Sequence, residues 1–270
     1  MAEFVKNKKG NTVFYTAPQL SGCRKIRHAY FTRTGGVSKG PFESLNMRFN
    51  CGDEYENVVR NHVAAGLVIG ARPEDIVCTR QKHTDNIRIL KGEYTEEKDR
   101  EAGVDALITD VPGLCLTAYH ADCQVVMLFD HRKEVAAIVH AGWRGVQNGI
   151  VGKTVDKMHD VWGSNPADIV AAVGPSICRG CFETDEDVPE LMKQAYGGFA
   201  AEYIYKEGDK WHIDLKNMTY SNLIQHGVPS INIDVSNICP CCTHEPDLWW
   251  SHRRNGDERG VQGAMIMLKK

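Results

Sequence analysis

Apolar positions along the chain recur at two spacings. Short runs rich in β-branched residues, bounded by Gly, Pro, Asp or Asn, predict strands. They fall at 12–15, 29–32, 76–79, 87–90, 105–109, 114–118, 124–129, 135–139, 169–173, 203–205, 231–233 and 264–268. Longer stretches with apolar residues three and four apart predict helices. One covers 54–69, with Val59, Val63 and Leu67 in line and Asp53 with Glu56 as a capping box. The clearest covers 146–162, where Val146, Ile150, Val151, Val155, Met158 and Trp162 share a face and Gly163 is the stop. Two more are expected at 186–196 and at 214–225, the latter beginning at Asp214. Several strand pairs lie too close in sequence for a crossover helix. The expected class is therefore α+β, a single domain over 1–270 with a mixed sheet rather than a doubly wound parallel one. Loops are expected at 35–41 and, in a highly charged stretch, at 92–103.

Composition narrows the functional classes. The 270 residues carry a formal net charge of −3 and are 42% hydrophobic, which suits a soluble globular protein. That balance argues against nucleic acid held by bulk charge. No apolar run is long enough for a membrane span, and the polar, lysine-bearing N-terminus is unlike a secretory signal, so a cytoplasmic location is expected. In that reducing setting the 10 cysteines are thiols or metal ligands, not disulfides.

The segment from Ala121 to His140 holds two apolar runs around the polar turn at 130–133. With His131 and Arg132 as a two-residue turn, Cys123 falls opposite His140, on one face and at the open end of a hairpin. A thiol beside an imidazole suits two ligands of one metal ion, or a nucleophile with its base. After His140 come Ala141-Gly142-Trp143-Arg144-Gly145 and then the strongest helix. A glycine-bearing turn at a helix N-terminus suits an anion, and Arg144 adds a bidentate cation. His83, in Gln81-Lys82-His83, is the candidate third ligand, since two His and one Cys leave a zinc ion one open position. Asp122 is the carboxylate nearest in sequence, in a catalytic or a supporting role. Cys178-Arg179-Gly180-Cys181 and Cys239-Pro240-Cys241-Cys242 have spacings that a structural zinc accepts, but simple buried thiols are the commoner outcome.

Gln81-Lys82-His83, Ala121-Asp122-Cys123 and His140-Ala141-Gly142-Trp143-Arg144-Gly145 resemble the bacterial YfiH-like, laccase-domain (multicopper polyphenol oxidase) family. Phe31-Thr32-Arg33-Thr34-Gly35-Gly36, Ser44-Leu45-Asn46, Asp105-Ala106-Leu107-Ile108-Thr109, Gly174-Pro175-Ser176-Ile177 and Ser251-His252-Arg253-Arg254-Asn255-Gly256 keep the family's motifs in order. The resemblance implies an α/β sandwich similar to cytotoxic-necrotizing-factor deamidases. It also implies phosphorolysis of adenosine, inosine and methylthioadenosine, adenosine deamination, and zinc on His83, Cys123 and His140. Purine nucleosides and inorganic phosphate are then the expected partners, with Arg144 first and Arg48 and Arg253 next as phosphate anchors, and Gln81 and Asp122 beside the substrate. The chain departs from the family pattern at Met47-Arg48-Phe49, at His252, and at Lys82 and Thr84 around His83. Copper chemistry is the weaker expectation: the 11 histidines include no His-X-His pair from which to build a multicopper cluster. A metal-free cysteine hydrolase using Cys123 and His140 is the competing class, and in it His83 is idle.

Overall fold

A computed structural model describes residues 2–91 and 103–270. The charged loop expected at 92–103 therefore lies, except for Gly103, outside the described residues. Two six-stranded sheets dominate. The first runs Val5–Lys9, Thr12–Thr16, Ile26–Phe31, Gln262–Leu268, Cys115–His120, Ile76–Cys78. The second runs Ile233–Val235, Ile169–Val173, Gln124–Asp130, Val135–Ala141, Ala106–Thr109, Ile87–Leu90. Both are mixed. Ile76–Cys78, Ile87–Leu90 and Ile233–Val235 pair parallel to their neighbours, and the remaining ladders are antiparallel. The expected mixed α/β sandwich is what the chain forms.

The layers follow from side-chain alternation. Val125, Met127, Phe129, Ala136 and Ile138 of the second sheet meet Leu116, Ala118, Ile266 and Leu268 of the first in the central core. The other face of the second sheet, with Val126, Leu128, Ala137 and Val139, packs on helices Ile150–Trp162, Leu215–Gln225 and Asp187–Tyr196. The outer face of the first sheet, with Phe31 and Met265, is covered by helix Tyr55–Ile69. Because both faces of the second sheet are buried, its central strands read as continuous apolar runs instead of alternating ones. A small third sheet joins Glu183–Thr184, Lys210–Ile213 and Ile204–Glu207.

Three local expectations are corrected. The capping box at 53–56 does not form: the Asp53 carboxylate accepts from Ser38 and Asn46, and Glu54 is the cap residue without a side-chain bond. The helix expected over 146–162 is two helices, Trp143–Gln147 and Ile150–Trp162, broken where Gly149 takes φ 68°. The hairpin turn is longer than two residues. Asp130 pairs with Val135, since the Asp130 carboxylate accepts from the Arg132 and Lys133 amides at 2.8 and 3.0 Å and closes a wider loop. His140 therefore faces Val125, and Cys123 lies diagonal to it. The slip is two residues, so every side chain keeps its face, and the thiol and imidazole still meet.

Candidate active site

His83, Cys123 and His140 converge, with their ligand atoms all within 4.8 Å of one another. Each comes from a different piece of backbone. His140 is near the end of strand Val135–Ala141. Cys123 precedes strand Gln124–Asp130, after Asp122 has turned the chain with φ 92°. His83 sits in the loop after Ile76–Cys78 at φ 58°, a conformation uncommon for a residue with a Cβ. Cys123 Sγ and His83 Nε2 are 3.8 Å apart. Gly142 permits the approach: a Cβ there would stand 2.6 Å from His83 Cδ2 and 3.2 Å from Cys123 Sγ.

Asp105 holds this arrangement together. It is fully buried at the start of the Ala106–Thr109 strand. One oxygen accepts from His140 Nδ1 at 2.8 Å and the His83 amide at 3.1 Å. The other accepts from the Lys82 and Thr84 amides and the Thr84 hydroxyl. The strained His83 loop is thus wrapped on a carboxylate, and His140 is fixed with Nδ1 protonated and Nε2 turned to the thiol. Burial raises the Asp105 carboxyl, but His140 and the amides outweigh it and hold it near 2. Burial likewise opposes ionisation of Cys123, yet His140 and His83 bring it down to about 6. Burial pulls His140 down, while the Cys123 and Asp105 charges lift it to about 9. The two shifts run in opposite directions and favour a thiolate beside an imidazolium. Behind it His120, fully buried, is pushed down to about 3 by burial and by His140, so its ring stays neutral.

The donor set suits zinc. It has one thiolate and two imidazoles, and one imidazole is backed by a carboxylate in the usual support for a metal-bound histidine. The three residues line a cleft of about 1050 Å³. One wall is aromatic: Phe49 stacks on His62 with centroids 5.1 Å apart, and Tyr119 meets His62 edge-on at 5.9 Å. The same cleft is lined by cationic Arg48, Arg80, Lys82 and Arg259. Arg259 is half-buried, is held near Arg48, and its Nε has no hydrogen-bond partner among the described residues.

The other expected site residues divide. Arg48 and Gln81 line the cleft, although Gln81 spends its amide on Thr79 and both backbone groups of Tyr119. Asp122, Arg144 and Arg253 do not line it. The Asp122 carboxylate accepts from the Ser251 hydroxyl and the Arg253 amide at 2.9 and 2.7 Å. The Arg253 guanidinium reaches the Glu183 carbonyl, and Arg144 is exposed over the Trp143 ring at 4.2 Å. Asp105, Arg259 and the aromatic wall went unassigned in the sequence. The one available signal was an aspartate opening the apolar run Ala106–Thr109.

The family described as multi-copper polyphenol oxidoreductase laccase matches residues 27–269. The chain is 35% identical to a purine nucleoside phosphorylase of Bacteroides thetaiotaomicron, over 93% of this chain and 94% of that one. It is 30% identical to an adenosine deaminase of an unknown prokaryotic organism, over 86% and 90%. The crystal structure of YlmD from Geobacillus stearothermophilus is similar at TM-score 0.88 and 28% identity, over 99% of this chain and 100% of that one. A match of that span, with relatives of that likeness, makes this chain an enzyme of the multi-copper polyphenol oxidoreductase laccase family.

Proposed function

We propose that the chain is a zinc-dependent purine nucleoside enzyme. It phosphorolyses adenosine, inosine and methylthioadenosine, and it deaminates adenosine. The observation that carries this reading is the convergence of His83, Cys123 and His140 in a cleft that has both an aromatic wall and cations. The names of the relatives supply the two reactions. His83, Cys123 and His140 would hold the ion, which supplies Lewis acidity and makes water reactive near neutral pH.

This chain's own groups account for binding and orientation. Phe49, His62 and Tyr119 offer faces and edges against which a purine stacks. His62 Nε2 lies 2.8 Å from the Met47 carbonyl, so that nitrogen carries the proton and the ring is fixed. Arg48 and Arg259 stand near each other in the cleft lining. Asp122 offsets part of the Arg259 charge, but the buried Arg259 Nε has no hydrogen-bond partner among the described residues and is a donor for phosphate. Phosphate held there attacks the sugar C1′ as the purine leaves, whereas deamination needs water at C6 and no second anion. Arg144 and Arg253, expected from the sequence as anchors, stand farther from this chemistry, outside the lining. Asp122 braces the Ser251–Arg253 turn beside Cys123 and is assigned a positioning role.

The test is product analysis by chromatography with adenosine, with and without phosphate. Adenine that forms only with phosphate, and inosine that forms without it, are expected. Absence of both products from zinc-loaded protein overturns the reading. The thiolate–imidazolium pair backed by Asp105 favours one second reading, a cysteine hydrolase using Cys123 and His140. His83→Ala separates the two: the zinc reading loses metal and turnover together, while a dyad keeps its rate.

A further inference from the structure

Two loops that both contact Asp122 bring four more thiols together. Cys178 and Cys181 lie between strands Ile169–Val173 and Glu183–Thr184. Cys239 and Cys242 lie between strand Ile233–Val235 and helix His252–Asn255. The four sulfurs are all within 4.8 Å of one another, and those of Cys178 and Cys242 are 3.7 Å apart. A tetrahedral zinc with bonds of about 2.3 Å has sulfur–sulfur edges of about 3.8 Å. All four cysteines are free thiols.

The backbone around them is built for sulfur anions. In the first turn the Cys181 amide donates to the Cys178 carbonyl at 3.1 Å and lies close to that residue's sulfur, and in the second the Cys242 amide is directed at the Cys239 sulfur. The Cys178 amide also donates to Cys239 Sγ at 3.2 Å, which ties the two turns to each other. Arg254 fixes the second turn by donating to the Pro240 and Cys241 carbonyls. A compensating charge is in place. Lys216 is only 4% exposed, donates to the Ser236 and Ile238 carbonyls at 2.8 Å each, and faces Cys178, Cys239 and Cys242. A buried ammonium needs anions nearby, and a metal with four thiolates carries a net negative charge.

We propose that Cys178, Cys181, Cys239 and Cys242 form a second, closed metal site that takes zinc through four thiolates and staples these two loops. Closed four-sulfur coordination leaves no open position for substrate, so the role is structural. The loops it joins also hold the catalytic strand end: the Ile177 amide donates to the Asp122 carbonyl at 2.9 Å, and Ser251 donates to the Asp122 carboxylate. The site therefore braces the turn that presents Cys123.

The proposal does not depend on the purine reading, and the test keeps them apart. A His83→Ala, Cys123→Ser double variant, purified without metal-affinity resin or chelator, lacks the ligands of the open site. It is expected to retain about one equivalent of zinc, with an X-ray absorption shell of four sulfurs at about 2.3 Å. Cys181→Ser in the otherwise natural chain is expected to lose that shell and to melt lower, leaving only a mixed nitrogen–sulfur zinc. Should Cys181→Ser fail to fold, the spectrum of the double variant decides alone. No metal in the double variant, iron in place of zinc, nitrogen or oxygen in its shell, or thiols lost to disulfides under denaturing non-reducing conditions would each overturn it.

Discussion

Two thiol-bearing clusters are linked through Asp122, and they differ in almost every physical respect. One offers a single thiol and two imidazoles, fixes an imidazole on a buried carboxylate, and opens into a large cleft. The other offers four thiols, is tied by backbone amides to sulfur, and is backed by a buried ammonium instead of a carboxylate. Softer, fully thiolate donors with a cationic neighbour suit a closed structural ion. Mixed donors with a carboxylate behind suit an ion that must still bind water or substrate. The comparison shows why ten cysteines in one chain do not have one explanation.

The largest effect that breaks the comparison is expected at Cys123. Cys123→Ser removes a ligand worth several kcal/mol of transition-state stabilisation, so turnover of adenosine should fall about 10³-fold or more. Zinc in the four-cysteine cluster should stay, so total metal by mass spectrometry drops by about one equivalent and no further. Asp105→Asn comes next. The amide keeps the shape but cannot accept from three backbone N–H groups, a hydroxyl and an imidazole at once. Zinc affinity at the open site should weaken about 10- to 100-fold, read by chelator competition, with the closed site unaffected.

A smaller effect separates the two reactions inside the open site. Arg259→Gln removes one charged donor, worth about 1.5–3 kcal/mol, and should raise the KM for phosphate about tenfold or more. Inosine formation from adenosine should fall less. Arg144→Lys, on the exposed Trp143 stack, should leave the phosphate KM within about twofold, on the scale of an exposed contact. A large rise in that constant for Arg144→Lys, with none for Arg259→Gln, would return the phosphate site to the start of helix Trp143–Gln147.

The smallest effect is a pH signature of the metal-stripped protein. The folded Cys123 value near 6 lies below its ordinary 9.0, so its contribution is complete above pH 9 and is lost as pH falls through about 6. The folded His140 value near 9 lies above its ordinary 6.5, so its contribution is complete below that and is lost as pH rises through about 9. The two overlap between about pH 6 and 9, where the ion pair stabilises the strand ends. Alkylation of Cys123, followed by peptide mass spectrometry, should therefore rise with a midpoint near pH 6. His140→Gln should move that midpoint upward, and an unchanged midpoint would mean that the pair is not what ionises the thiol.

Much of this was readable from residues alone, for identifiable reasons. Strands such as Ile87–Leu90 and Ile169–Val173 coincide with their predicted runs because they are rich in β-branched residues and bounded by breakers. The shared face of Cys123 and His140 survived a misjudged turn because a two-residue slip conserves parity. The turn itself was illegible: Asp130 capping the loop looks the same in sequence as Asp130 in a tighter turn. Strands Val5–Lys9 and Lys210–Ile213 were missed because the first is polar and mostly exposed and the second, Lys-Trp-His-Ile, has only one β-branched residue. Asp105 was hidden because its role is to gather backbone amides from a distant loop, which leaves no pattern in spacing. Arg259 reaches the cleft only because its segment is strapped to residues 41–47, by Gly260 to Pro41 and Met47 to Val261.

The central claim is that catalysis belongs to the open cluster and depends on its metal. The most direct measurement is to strip the protein, titrate zinc back, and follow adenine release from adenosine and phosphate alongside zinc bound at each shell by X-ray absorption. The account predicts that activity rises with the mixed nitrogen–sulfur site and saturates when that site holds one equivalent, whatever the filling of the four-sulfur site. Full activity in stripped protein, or activity that tracks the four-sulfur shell alone, would contradict it.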